Sequence, residues 1–182
     1  MFKPLSILDD KHKILRQTSK EVELPLSKDD KKIIDQVIKH LTYSQIEKYA
    51  EKYDLRPGMG LAFPQLGFLK RIIIIVYEYE EGKFENYVIV NPKIISHSEE
   101  LVALETGEGC LSVNREVEGH VARYARIRIT GYDPDGNKLS IRAREDLAVA
   151  FQHEVDHLNG ILFYDRINKS KPFYSENEIR LI

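Results

Sequence analysis

The feature that most constrains this chain is the pattern His-Glu-x-x-His at positions 153–157. Four residues make slightly more than one turn of an α-helix, so the imidazoles of His153 and His157 project from one face and can bind a single metal ion. Glu154 follows the first histidine, where its carboxylate can accept a proton from a water that the metal activates. The pattern therefore predicts a helix that carries a hydrolytic metal site.

The residues around this pattern favour a helix from about Asp146 to Asn159. Acidic side chains suit its first turn, and Gly160 is typical of a helix end. A separate apolar stripe can anchor the helix in the core through Ala148, Phe151, Val155 and Leu158. The metal-binding face and the core face of this helix are thus distinguishable in the sequence.

A catalytic metal usually takes three protein ligands and keeps one position for water. The two histidines supply two of these ligands, and the sequence leaves the third undecided. The zinc-protease pattern that continues to a third histidine fails, because that position is Phe163. A second protease class uses a downstream glutamate, and Glu176 or Glu178 could serve. The other candidate is Cys110, the only cysteine, which lies in a glycine-rich segment. A zinc endopeptidase with a glutamate ligand and a Cys-His-His hydrolase therefore stand as alternatives.

A further segment, residues 58–67, combines early glycines with a glutamine. It differs from a dinucleotide-binding fingerprint because Phe63 occupies the third glycine position and no strand clearly precedes it, and it lacks the ending of a phosphate-binding loop. A turn-rich loop is therefore predicted. Near a metal, the uncharged donor Gln65 could stabilise a developing oxyanion.

Helical patterns lie on either side of a strand-rich middle. The first helix is predicted to start near Ser27, with an apolar face as far as Leu41, and its pattern fades from Thr42 to Arg56. The segment 161–182 looks extended.

Strand signals cluster between the two helices. A hairpin is expected from Arg71 to Val90 around the Glu81-Gly82 turn, and two more extended segments flank the turn at 133–137. The predicted fold class is α+β, with antiparallel or mixed β-sheets packed around the central helix that carries His-Glu-x-x-His and with an N-terminal helix. No linker divides the chain, so residues 1–182 are read as a single domain.

Composition argues against several other classes of protein. Lys and Arg number 27 against 29 Asp and Glu, a net charge of -2, which argues against nucleic-acid binding by bulk charge. The longest apolar run, Ile72 to Tyr77, is far shorter than the roughly 20 residues of a membrane span, and no signal peptide is recognisable. One cysteine cannot form an internal disulfide, so a reducing compartment and a cytoplasmic location are expected.

Three segments together resemble the peptide deformylase family. They are Gly58 to Gln65 for the Gly-x-Gly-hydrophobic-Ala-x-x-Gln loop, Glu108 to Ser112 for Glu-Gly-Cys-hydrophobic-Ser, and Gln152 to His157 for the helix motif. The order of the segments matches the family, and the resemblance covers most of the chain. The long segment before Gly58 and the extended C-terminal part are similar to the Gram-positive type of the family.

The resemblance implies an enzyme that removes the formyl group from the N-terminal methionine of nascent polypeptides. It implies one divalent metal ion, usually Fe²⁺ with Zn²⁺, Ni²⁺ or Co²⁺ as substitutes, held by Cys110, His153 and His157. Glu154 would be general base and acid, and Gln65 and the backbone N–H of Leu111 would hold the oxyanion. Substrate contacts would come from Met59, Gly60, Gly109, Val149 and Ala150.

The resemblance also implies N-formylmethionyl nascent peptides as partners, with transient proximity to the ribosome. The alternative function is that of a deformylase-like protein that only binds blocked N-termini and does not hydrolyse them. One departure is Phe63, where the family often has alanine; its bulk could reshape the loop before Gln65. A further hypothesis pairs Glu108 with Arg123 to brace the cysteine segment.

Overall fold

The computed structural model describes residues 2–182. Over this range the chain forms three α-helices, and short 3-10 turns lie at Lys13–Arg16, Phe63–Leu66 and Phe163–Arg166. The helices are α1 (Lys28–Ser44), α2 (Glu47–Tyr53) and α3 (Glu145–Leu158). The strands are β1 (Gly60–Ala62), β2 (Ile72–Glu80), β3 (Lys83–His97), β4 (Leu101–Ala103), β5 (Arg123–Tyr124), β6 (Arg126–Tyr132), β7 (Lys138–Arg144) and β8 (Arg180–Leu181).

The strands build two sheets. The larger sheet is antiparallel with the order β1-β2-β3-β6-β7, and the smaller sheet has the order β5-β4-β8, with β8 parallel to β4. The predicted hairpin is confirmed as β2 and β3, joined at Glu81-Gly82, where Gly82 adopts the positive φ that such a turn requires. The α+β class is therefore confirmed.

Helix α3 packs on one face of the larger sheet, as expected for the central helix. Ala148, Phe151 and Leu158 of its apolar stripe have no exposed surface and join a core cluster with sheet residues such as Ile75 and Ile129. The side chain of Gln152 fixes the helix to the smaller sheet, because its amide accepts from the N–H of Tyr124 at 3.0 Å and donates to the carbonyl of the same residue at 2.9 Å. The helix is thus held by both sheets.

Helix α1 covers part of the opposite face of the larger sheet. It begins where predicted, because the Ser27 side chain accepts a hydrogen bond from the N–H of Asp30 at 3.1 Å. Its buried side chains pack with β1, β2 and β3 residues in a second core cluster that includes Val37, Leu41 and Ile74. The strands nearest to β1 therefore have a helix on each face.

The segment 42–56 differs from the sequence expectation. Helix α1 continues to Ser44, and α2 follows almost at once. The reason is an aromatic cluster, in which the rings of Tyr43 and Tyr49 stack at 4.3 Å and those of Phe2 and Tyr53 meet edge to face at 4.9 Å. A polar-looking stretch becomes helical because its tyrosines pack on each other.

The C-terminal segment is extended only in part, since it contains the 3-10 turn Phe163–Arg166 before β8. Among residues 2–182, no helix has both the length and the apolar character to cross a membrane.

Phe151→Ala should lower the free energy of unfolding of the metal-free protein by about 3–5 kcal/mol, because it leaves a cavity between α3 and the sheet. Urea unfolding followed by circular dichroism measures this loss. Phe173→Ala makes the same change at a side chain that is 50% exposed and should cost about 1 kcal/mol or less. Equal losses in the two variants would contradict this packing.

Candidate metal centre and active site

Candidate ligand atoms from helix α3 and from the distant cysteine segment come together in the structure. The Sγ of Cys110 and one ring nitrogen each of His153 and His157 all lie within 4.8 Å of one another, and Cys110 Sγ is 3.2 Å from His157 Nε2. Ligands of one tetrahedral metal ion are about 3.3–3.6 Å apart, given metal–ligand bonds of about 2.0–2.3 Å. The donor set fits a divalent metal, and two nitrogens with one sulfur leave a position for water.

The glutamate alternatives do not join this cluster. The carboxylate of Glu178 accepts from the ammonium of Lys171 and from Ser175, and the side chain of Glu176 is exposed. Neither belongs to the group of possible metal ligands found among residues 2–182. The structure therefore favours Cys110 over both glutamates as the third ligand.

Glu154 is a buried carboxylate with an unused oxygen. It is 4% exposed, and its Oε2 has no hydrogen-bond partner within the described residues. Such an oxygen costs about 1–3 kcal/mol unless something pairs with it, so the site is built for a partner that the chain itself does not supply. Burial raises the pKa of Glu154 to about 7, although the charge of His153 opposes the shift. A base near neutral pKa can accept a proton and return it.

Gly60 makes room for this carboxylate. A Cβ at position 60 would lie 2.5 Å from Glu154 Oε1 and 2.8 Å from the Cδ1 of Ile75, which is closer than carbon contacts allow. The glycine is required here by the close approach of strand β1 to α3, not by its backbone angles. Strand β1 therefore passes directly beside the candidate general base.

The orientation of His153 is set by Glu108. Its Nδ1 donates to Glu108 Oε2 at 2.7 Å, which leaves Nε2 free as a ligand atom. Burial alone would raise the pKa of Glu108, but the hydrogen bonds from His153 and Arg123 outweigh it and lower that pKa to about 2. As a carboxylate, Glu108 can only accept from His153, which favours the imidazole proton on Nδ1.

The predicted pair of Glu108 and Arg123 is confirmed and is part of a larger network. The Arg123 guanidinium donates to both oxygens of Glu108 at 2.7 and 3.0 Å and to Asp156 Oδ2 at 2.6 Å. Asp156 also accepts two hydrogen bonds from Arg166. Arg123 is only 2% exposed, so these ions depend on one another for compensation.

Sequence reasoning missed the contribution of Asp156. It stands inside the His-Glu-x-x-His pattern, and a carboxylate that follows His153 by three residues on a buried helix signals a cationic partner. The partners Arg123 and Arg166 lie outside the helix, and no local spacing points to them. Arg56 was missed as well; its guanidinium donates to the carbonyls of Leu111 and Val113 and so supports the segment after the cysteine.

Gln65 is held so that its amide donor faces the cluster. Its Oε1 accepts from the N–H of Ala62 at 2.8 Å, and its Nε2 donates to Ser112 Oγ at 3.1 Å and lies 3.7 Å from Cys110 Sγ. Phe63, the departure from the family pattern, is fully buried in the cluster under α1 and does not line the cavity. Its ring therefore packs in the core and does not narrow the cavity in front of Gln65.

The ligand cluster opens on a cavity of about 970 Å³. Gln65, Cys110, His153 and Glu154 contribute to its wall, whereas His157 is buried beneath. The residues expected to contact substrate all line it, namely Met59, Gly60, Gly109, Val149 and Ala150, and the expected oxyanion donor Leu111 lines it as well. Strand β1 is the edge strand of the larger sheet, so an extended peptide could add to it.

Arg123→Ala should lower the free energy of unfolding of the metal-free protein by about 3–5 kcal/mol, because Glu108 and Asp156 would lose their shared buried cation. Metal affinity should fall by about 10–100-fold, since His153 loses its fixed orientation. Urea unfolding and a competitive chelator titration measure the two effects. Arg126→Ala removes an exposed arginine and should change stability by about 1 kcal/mol or less. An Arg123 variant with unchanged stability and metal affinity would refute the bracing role.

Comparison with known proteins gives a consistent family assignment. The family model described as polypeptide deformylase matches residues 4–173. Peptide deformylase 2 of Geobacillus stearothermophilus is 48% identical over 167 residues, which cover 92% of this chain and 91% of that protein.

Solved structures agree with the sequence comparison. A plant peptide deformylase has a TM-score of 0.76 and 31% identity, covering 93% of this chain and 84% of that one. A class I type b peptide deformylase from Acinetobacter baumannii with Met-Ala-Ser bound has a TM-score of 0.72 and 28% identity, covering 92% of this chain and all of that one. The chain therefore belongs to the peptide deformylase family.

Proposed function

We propose that the chain is a metal-dependent hydrolase that removes the formyl group from the N-terminal methionine of nascent polypeptides, acting as one catalytic domain over residues 1–182. The observation that carries the proposal is the Cys-His-His donor cluster beside a buried carboxylate with an unused oxygen. Family membership supports the same reaction. Nascent-chain substrates would bring the enzyme transiently near the ribosome.

Cys110, His153 and His157 would hold the metal. When bound there, a divalent ion supplies Lewis acidity, which lowers the pKa of water and polarises a carbonyl. We propose Fe²⁺ as the ion used in the cell, with Zn²⁺, Ni²⁺ or Co²⁺ able to replace it, because a mixed thiolate and imidazole set suits several first-row metals.

Glu154 would move the protons of the reaction. Its carboxylate takes one proton from the attacking water as the water oxygen bonds to the formyl carbon. It then gives that proton to the amide nitrogen of the methionine as the carbon–nitrogen bond breaks. The immediate products are formic acid and a neutral amine; the acidic proton of formic acid then passes to the amine, which leaves formate and the N-terminal ammonium group.

Gln65 and Leu111 would stabilise the negative oxygen that forms between these steps. The amide of Gln65 is already oriented by Ala62 and Ser112, so it needs no rearrangement to donate. The N–H of Leu111 makes no hydrogen bond within residues 2–182 and is free to be the second donor. Arg56 supports this role by holding the carbonyl of the same residue.

The substrate would bind as an added strand on β1. Met59 and Gly60 supply one side of this groove and Gly109 the other, while Val149 and Ala150 of α3 line the part that would take the methionine side chain. The Acinetobacter baumannii relative was solved with Met-Ala-Ser, which has the form of a deformylated product. This mode needs backbone contacts and a pocket, without a charged recognition surface.

The direct test is formate release from formyl-Met-Ala-Ser by protein purified anaerobically and loaded with Fe²⁺. Acetyl-Met-Ala-Ser and unblocked Met-Ala-Ser-Ala-Ser are the matched controls. Formate release from the formyl peptide alone supports the proposal. Cleavage of an internal bond of the unblocked peptide would indicate an endopeptidase, and binding of the formyl peptide without formate would indicate a silent binding protein.

Glu154→Gln should lower kcat by at least about 10²–10⁴-fold, because general base and acid are lost together. The metal content should stay at the wild-type level, since Glu154 is not in the ligand set. Glu176→Gln, an exposed glutamate, is the matched control and should keep wild-type kcat. An active Glu154 variant would exclude the proposed proton transfer.

Cys110→Ala should abolish tight metal binding, because two imidazoles alone hold a divalent ion weakly. Inductively coupled plasma analysis after anaerobic loading measures the metal content, with Glu178→Gln as the control for the rival ligand. Cys110 is the only cysteine, so a thiol reagent gives a second readout: metal loading should block its reaction in the wild type. Full metal occupancy in the Cys110→Ala variant would support a glutamate as the third ligand instead.

A further inference from the structure

The N-terminal segment before α1 contacts both parts of the chain that carry the proposed oxyanion donors. The N–H of Leu8 donates to the carbonyl of Gln65 at 2.8 Å, and the N–H of Asp10 donates to the carbonyl of Ser112 at 2.8 Å. We call residues 8–10 the clasp, because its two backbone hydrogen bonds join segments that are 47 residues apart in sequence. Gln65 Nε2 also donates to Ser112 Oγ at 3.1 Å. The clasp therefore fixes the backbone at both ends of the contact that orients the Gln65 amide.

The side chain of Asp10 is buried and makes three hydrogen bonds. Its Oδ1 accepts from Arg115 at 3.0 Å, and its Oδ2 accepts from the same guanidinium at 2.9 Å and from the hydroxyl of Tyr164 at 2.8 Å. Burial alone would raise the pKa of Asp10, but the hydrogen bonds from Tyr164 and Arg115 outweigh it and lower that pKa. Asp10 is therefore an anion that binds the segment after the cysteine through its side chain as well as its backbone.

Asp9 adds a third link to the same segment. Its Oδ2 accepts from Asn114 Nδ2 at 3.0 Å. The stretch 112–115 is thus bound to the clasp at three of its four residues. Leu111, whose N–H is the proposed second oxyanion donor, directly precedes this stretch. The clasp therefore restrains the backbone beside one proposed donor and the backbone of the other.

The hydrophobic core alone does not account for the clasp. Leu5 and Ile7 already pack against the core cluster under α1, so the N-terminal segment is anchored before it reaches Asp9 and Asp10. A buried carboxylate is costly unless it is paired and hydrogen-bonded, and it adds no apolar burial. Two consecutive aspartates at this place are thus better explained by the segment that they hold than by the core.

We propose that the clasp positions the oxyanion donors Gln65 and Leu111, with Asp10 as the central positioning residue, an inference that rests on the proposed deformylation. A donor stabilises an oxyanion only if it points to the place where the negative oxygen forms, and a displacement of about 1 Å can cost about 10²-fold in rate. Gln65 and Leu111 belong to different segments, so their relative placement depends on the contacts that join those segments. The clasp joins them through its backbone, and Asp10 is held in turn by Arg115 and Tyr164.

The test compares Asp10→Ala with Asp30→Ala in Fe²⁺-loaded protein, with formyl-Met-Ala-Ser as the substrate. Asp30 is the matched control, because it is 6% exposed against 7% for Asp10 and also pairs with a basic side chain, that of Lys70, at 2.6 Å. Its partners Ser27 and Lys70 lie at the start of α1 and just before β2. Both variants should unfold at a lower urea concentration than the wild type, because each loses a buried carboxylate that pairs with a basic group.

Only Asp10→Ala should change catalysis. Its kcat should fall at least about tenfold with KM within about twofold of the wild type, because an oxyanion donor acts in the transition state and not on the bound substrate. Asp10→Asn keeps one acceptor oxygen and should lie between Asp10→Ala and the wild type. In a Gln65→Ala background, Asp10→Ala should lower kcat by a smaller factor, since one of the donors that it misaligns is already gone. Metal content should match the wild type in every variant.

Hydrogen exchange followed by mass spectrometry gives a readout that does not depend on activity. Peptides that cover residues 8–15 and 110–118 should exchange faster in Asp10→Ala than in the wild type or in Asp30→Ala. Unchanged exchange, equal losses of kcat in the two alanine variants, an equal effect in the Gln65→Ala background, or loss of metal from Asp10→Ala would each overturn the positioning role. No formate release by the wild type would reject the proposed function, a failure that the wild type alone reveals.

Discussion

A single buried guanidinium, that of Arg123, joins the chain segments that carry the candidate metal ligands. It holds Glu108 of the cysteine segment and Asp156 of α3 at the same time, and Glu108 in turn orients His153. An ion in such a place is expensive to bury, and breaking one buried pair typically costs about 3–5 kcal/mol. The cost is tolerable here because every charged group in the network has a partner. The same network makes ligand geometry and local stability inseparable.

Helix α3 can serve two purposes because its faces are divided. Phe151 and its apolar neighbours pack on the larger sheet, and Gln152 binds the backbone of β5, so the helix cannot rotate or slide. The histidines and Glu154 are then placed by rigid elements and not by loops. Gly60 completes the arrangement, since only a residue without a side chain lets β1 approach the carboxylate. The edge proposed to take an added strand and the proposed general base Glu154 therefore share one wall.

Local patterns predicted the parts of this structure that depend on local geometry. The His-Glu-x-x-His helix followed from a spacing of four residues, and the β2–β3 hairpin from β-branched residues around Glu81-Gly82. The third ligand could not be decided in this way, because Cys110 and His157 are 47 residues apart in sequence and meet only in the folded chain. Helix α2 was missed for the same reason, since its tyrosines gain their partners from α1 and the N-terminal segment.

The net charge of the sequence also says nothing about where individual charges come together in the folded chain. A net charge of -2 describes the whole chain, yet strand pairing brings Arg128 opposite Arg142 and concentrates positive charge on one part of one sheet. The buried Arg123 is neutralised by Glu108 and Asp156, whereas Arg128, Arg142 and Arg144 have no carboxylate in salt-bridge range within residues 2–182. Because α1 packs on the strands nearest β1, the far half of that sheet face stays open to solvent. The fold thus separates a compensated, desolvated charge network on the α3 side of the sheet from an uncompensated, accessible group of arginines on the other side.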